Sequence, residues 1–137
     1  MTLEEYEHKL FLSKQRAESI ASALAICEEQ EREALLREYI GCKYFLTSDE
    51  MITDDLLKLG DISTEKLAEL RRGGLELHDK SVGCTSVASS VTKKALLVLS
   101  LGKAIGVKFD PDQAAEAATV PLLAALAAKE LEKKRNA

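Results

Sequence analysis

At 137 residues the chain is long enough for one domain whose core needs no disulfide or metal staples. Its formal net charge of −4 argues against nonspecific binding to DNA or RNA, which needs a basic footprint, and 4% aromatics leave few stacking platforms for single strands. No window of about 18 apolar residues exists, so no membrane span is expected, and no basic start followed by an apolar stretch marks a secretory signal.

Ala, Leu, Glu and Lys dominate and favour helix throughout, while β-branched residues are scattered, so the fold class expected is all-α. The three cysteines, Cys27, Cys42 and Cys84, include no CxxC pair and read as reduced thiols of a cytoplasmic protein. On one continuous helix, Cys27 and Cys42 would stand roughly 22 Å apart, too far to bridge.

Residues 2 to 40 contain neither Gly nor Pro. Thr2 is a candidate cap, and Leu3, Tyr6, Leu10, Ala17, Ile20, Leu24 and Cys27 form an apolar stripe at helical spacing. The stripe fails at Glu28-Glu29-Gln30-Glu31-Arg32-Glu33 and resumes at Leu35, Leu36, Tyr39 and Ile40. The absence of turn residues favours one long, slightly kinked helix over a hairpin. Thr47-Ser48-Asp49-Glu50 reads as a restart, with a short helix through Met51, Ile52, Leu56, Leu57 and Leu59 stopped by Gly60. Ser63 or Thr64 then caps another short helix through Leu67 and Leu70, ended by Gly73-Gly74. Leu75 and Leu77 read as a strand-like entry to a hydroxyl-rich loop from Gly83 to Ser90. The next helix starts between Thr85 and Val91 and ends at Gly106. Asp110 caps a following helix, with Pro111 first inside it and Gln113 placed as in a capping box. Thr119 caps the last helix. The expected architecture is a bundle: a long N-terminal helix or hairpin over residues 1–47, then shorter helices over 48–137, as two segments or one compact domain.

From Leu96 to Leu126 the chain resembles acyl or peptidyl carrier proteins. The resemblance rests on Ile105-Gly106-Val107-Lys108-Phe109-Asp110-Pro111-Asp112 and Ala118-Thr119-Val120-Pro121-Leu122-Leu123, and extends back at most to about residue 64. It implies a carrier-like set of short helices and a phosphopantetheine arm on a serine at the start of the second helix. Counting back from Phe109, the attachment position falls on Val91. The local triplet reads Ser89-Ser90-Val91 where the family has Asp-Ser-Leu, which leaves Ser89 and Ser90 as the nearest hydroxyls. The segment from Val91 to Phe109 carries Lys93, Lys94, Lys103 and Lys108 and no carboxylate, so its partners would differ from those that dock on an acidic carrier helix.

Two further constellations are candidates for chemistry. Thr85, Ser86, Lys93 and Lys94 near a helix start suit an anion; the plainer reading is that the hydroxyls cap the helix. Cys84 before the same helix suits an activated thiolate, with His78 as base and Asp79 orienting the imidazole. No His or Cys spacing matches a metal site, and the glutamate runs read as solvated faces. The apolar residues Tyr39, Tyr44, Phe45 and Leu46 mark either internal packing or a homodimer contact.

These readings lead to a non-enzymatic, cytoplasmic binding or adaptor module with a protein partner, carrier-like but lacking the standard attachment triplet. The alternatives are a small thiol-dependent enzyme or acyl or sulfur acceptor at Cys84, and a structural homo-oligomer built on the N-terminal helix.

Overall fold

The structure, a computed structural model, describes residues 2–72 and 89–136, and over these the protein is an all-α helical bundle. The described helices are α1 (Leu3–Ile26), α2 (Glu29–Tyr44), α3 (Leu56–Arg72), α4 (Ser90–Ile105), α5 (Pro111–Glu116) and α6 (Val120–Asn136).

Thr2 opens α1 as expected, its hydroxyl accepting from the Glu5 amide at 3.1 Å. The helix does not continue past the charged run. Cys27 and Glu28 are both extended, and α2 folds back on α1 as an antiparallel hairpin. Tyr6 packs edge-on to Phe45 with ring centroids 5.3 Å apart, and Arg16 faces Glu38 at 3.9 Å. The expectation of one long helix is therefore corrected. Each half carries its own apolar stripe, and a straight rod would leave both in water. Folding back buries Leu10, Ala17, Ile20 and Leu24 from one helix with Leu36, Tyr39, Ile40 and Tyr44 from the other. Each fully buried large apolar side chain contributes about 1.5–3 kcal/mol, which outweighs two residues lost from helix. Glu29 and Glu31 suit the positive end of α2, and the Arg32 guanidinium donates to the Cys27 carbonyl at 3.5 Å.

The two short helices expected between residues 48 and 72 are also corrected. Residues 47–50 form a turn in which the Glu50 carboxylate accepts from the Thr47 amide at 2.9 Å. Helix α3 begins only after Asp55, whose carboxylate accepts from the amides of Leu57 and Lys58 at 3.0 and 3.2 Å. It then runs straight through Gly60, Ser63 and Thr64. Gly60 marks a close helix approach rather than a stop: a Cβ there would lie 3.1 Å from Ser90 Cα at the start of α4. Ser63 and Thr64 cap nothing. The Ser63 hydroxyl donates to the Tyr44 carbonyl at 2.8 Å, and that of Thr64 to the Gly60 carbonyl at 2.9 Å.

The C-terminal elements follow the expected boundaries. Ser89 caps α4, accepting from the Thr92 amide at 3.3 Å. Gly106, with φ of 73°, closes α4, and the Val107 amide reaches back to the Gly102 carbonyl at 2.9 Å. Asp110 caps α5 by accepting from Asp112 and Gln113, but Gln113 Oε1 does not return the bond, so the capping box is half formed. Thr119 accepts from Leu122 at the start of α6.

One apolar core draws on all six described helices. Helix α2 packs against α1, α3 and α6, and α4 lies across α1 and α3. A short antiparallel bridge ties Asp55 to Thr119, with Leu56 donating to Ala118 and Val120 to Asp54 at 3.0 and 2.9 Å. It locks the starts of α3 and α6 together. Among the described residues no helix is long and apolar enough to cross a membrane.

Candidate functional site

Of the residues expected to carry chemistry, only Ser89, Ser90, Lys93 and Lys94 fall among the described residues. Cys84, His78, Asp79, Thr85 and Ser86, with Leu75 and Leu77, lie outside the described residues. Ser89 is occupied as the cap of α4 and also shares a hydrogen bond with the Thr92 hydroxyl at 3.0 Å. The Ser90 hydroxyl donates to the Asp61 carboxylate of α3. Lys94 crosses to α5, donating to the Ala115 carbonyl at 3.0 Å.

Lys93 is the largest departure from the surface role expected of it, because it is completely buried. Its ammonium donates to Ser63 Oγ at 3.2 Å, and Ser63 passes the chain on to the Tyr44 carbonyl. The α4 stripe explains this: Lys93, Leu97, Leu101 and Ile105 recur every four residues, and all four are buried. Lys93 thus occupies a core position, its stem packed and its ammonium held by a polar network that links α4, α3 and the end of α2. Tyr39, Tyr44 and Leu46, read as either internal packing or a homodimer contact, are buried in the same core.

The α2 terminus next to this network is tightly specified. Phe45 takes the left-handed conformation with φ of 57°, a position usually given to Gly, and Leu46 donates to Gly41 at 2.8 Å. Lys66 clamps the turn, donating to the Phe45 carbonyl and to Glu50, each at 2.7 Å, with its ammonium 4.8 Å from the Phe45 ring centroid. Partial burial alone would raise the Glu50 pKa, but the Lys66 hydrogen bond and charge and the Thr47 amide outweigh it and hold the group below its ordinary value. Cys42 on α2 is half-buried, and burial, opposed by Arg16 and reinforced by Glu38, pushes its thiol up. That direction favours the inert, protonated thiol.

The sequence reading did not anticipate a groove of about 550 Å³ that the described residues form between α1, α2 and α4. Ala17, Leu96, Leu99 and Ala104 supply its apolar strip. Leu99 is 61% exposed and Leu96 36%, so two leucines of α4 face water here. At its base the Tyr39 hydroxyl and Ser100 Oγ bond to each other at 2.7 Å. Lys14, Lys43 and Lys103, one from each helix, line the groove, with Glu18 as the single carboxylate. Lys43 and Lys103 stand in the last turns of their helices, where the dipole favours a cation. None of the three lysines forms an ion pair among the described residues. A signal for the groove existed in the sequence. Helix α4 has apolar residues on more than one face, more than a single core stripe requires, and Leu96, Leu99 and Lys103 fall at spacings of three and four on the second face.

A smaller hollow of about 350 Å³ along α3 is acidic, with Asp61, Glu65 and Glu69 around Ile62 and the Glu50–Lys66 pair at its edge. Among the described residues no group of three His, Cys, Asp or Glu side chains converges as a metal site would require. Comparison with protein-family models, curated proteins and solved structures finds no match for this chain.

Proposed function

We propose that the protein is a non-enzymatic helical binding module whose working surface is the groove between α1, α2 and α4. The observation that carries this reading is the convergence of three lysines, from three different helices and ion-paired with none of the described residues, on a concave apolar strip that keeps Leu96 and Leu99 in water. Exposed leucines in a concavity are stabilised when a partner covers them. The groove offers recognition chemistry: ammonium groups, aliphatic surface and the hydrogen-bonded hydroxyls of Tyr39 and Ser100. Carriage of a phosphopantetheine arm has weaker support, because the hydroxyls nearest the attachment position are engaged, Ser89 as a cap and Ser90 with Asp61.

Photocrosslinking tests the reading. A benzophenone amino acid placed at Leu99 should give a discrete crosslinked product in cells of the source organism. The same group at Leu122, 52% exposed on α6 and away from the groove, serves as the control. Equal labelling at the two positions, or none at Leu99, would contradict a working groove.

A further inference from the structure

We infer that the occupant of the groove is an acidic amphipathic helix of a partner protein; this rests on the groove being the working surface. Charge complementarity sets the sign, since three lysines face one carboxylate, Glu18. Shape sets the class. The lining residues of α4 run from Leu96 to Ala104, about 12 Å along a helix axis. That length matches roughly two turns of a second helix, and an open strip lined from α1, α2 and α4 leaves one face of such a helix to be seated and the other in water. An apolar stripe at helical spacing would cover Leu96 and Leu99, and carboxylates beside it would reach Lys14, Lys43 and Lys103.

The other occupants fit less well. A fatty acyl chain needs most of its surface enclosed, and this groove leaves Leu99 61% exposed. A bilayer presents a flat surface, whereas these lysines surround a hollow. A second copy of this chain carries an acidic face on α3, but its Ile62 is partly buried, its Glu50 is engaged by Lys66, and two molecules of net charge −4 repel.

The experiment uses the full chain and a labelled 18-residue peptide with leucines at helical spacing flanked by glutamates. Fluorescence anisotropy should show saturable binding that weakens as salt rises. A peptide of the same composition with its leucine stripe scrambled should bind at least about tenfold more weakly, which corresponds to about 1.4 kcal/mol. Lys14→Glu/Lys43→Glu/Lys103→Glu should weaken the striped peptide by a similar factor while circular dichroism shows the fold intact. Amide shifts in the native protein should concentrate on groove residues. Equal affinity for the striped and scrambled peptides would overturn helix recognition. So would groove shifts produced by oleate or anionic phosphatidylserine vesicles but not by the peptide, a result that leaves the binding reading standing. Self-association in sedimentation runs, reversed by the same lysine variant, would also overturn the inference. If no probe moves a groove amide and Leu99 gives no crosslink, both statements fall.

Discussion

At the scale of single residues, Lys93 shows how a charged residue becomes a core residue. Its stem continues the Leu97–Leu101–Ile105 stripe, and its ammonium joins the Ser63–Tyr44 chain of hydrogen bonds. Lys93→Ala removes both and should cost about 2–5 kcal/mol, as other large-to-small core changes do. Lys93→Met keeps the stem, and urea unfolding should show it recovering more than half of that loss. Equal losses for the two variants would mean that the ammonium, not the packing, dominates. Sequence reading placed Lys93 on the surface because lysine is almost never fully buried; the i, i+4 register was the signal that outranked composition. Glu50 gives a pH prediction. Its folded-state pKa is depressed, so its stabilising effect is complete above the ordinary value of 4.5 and is lost as pH falls through the lower folded value. Stability of the native chain should therefore exceed that of Glu50→Gln at pH 6, with the difference closing as pH falls below 4.5. A difference that stays constant down to pH 3 would show that the Lys66 clamp acts by packing alone.

At the scale of elements, caps at true helix ends were readable, while Ser63 and Thr64, read as caps, lie inside α3, and tertiary competition was not readable. Thr2, Asp110 and Thr119 each receive the amides expected of a cap, and Gly106 closes α4, because these devices involve only neighbouring residues. Gly60 and the break at Cys27–Glu28 depend on elements distant in sequence. Gly60 reads as a stop by propensity, yet it lies inside α3, where the missing Cβ lets α4 approach: a Cβ would stand 3.1 Å from Ser90 Cα and would push it back by a few tenths of an ångström. Gly60→Leu should separate α3 from α4 and cost about 1–3 kcal/mol by overpacking. Chemical denaturation would register the loss, and unchanged stability would show that the α3–α4 contact adapts without cost. The hairpin break has no turn signature. It forms because two apolar stripes have more to bury against each other than in a straight rod, and no local signal encodes that comparison.

At the scale of the whole molecule, the all-α class was legible from composition and periodicity, and six described helices realise it. Of the groove only the second apolar face of α4 was legible; its three lysines lie on α1, α2 and α4 and meet only after the hairpin forms and α4 crosses it. Lys14 and Lys103 are exposed and Lys43 is partly so, and none is ion-paired among the described residues; reversing the charge should change stability by about 0.5 kcal/mol at Lys14 and by about 1 kcal/mol each at Lys43 and Lys103, where the helix ends favour a cation. Binding and folding can therefore be separated. The most direct measurement is the ratio of in-cell crosslinking yields at Leu99 and Leu122, in the native background and in Lys14→Glu/Lys43→Glu/Lys103→Glu. A working groove predicts a ratio of about ten or more in the native chain, the effect of roughly 1.4 kcal/mol of preferential binding, falling toward one when the lysines are reversed. A ratio near one in the native chain, or one unmoved by charge reversal, would contradict it.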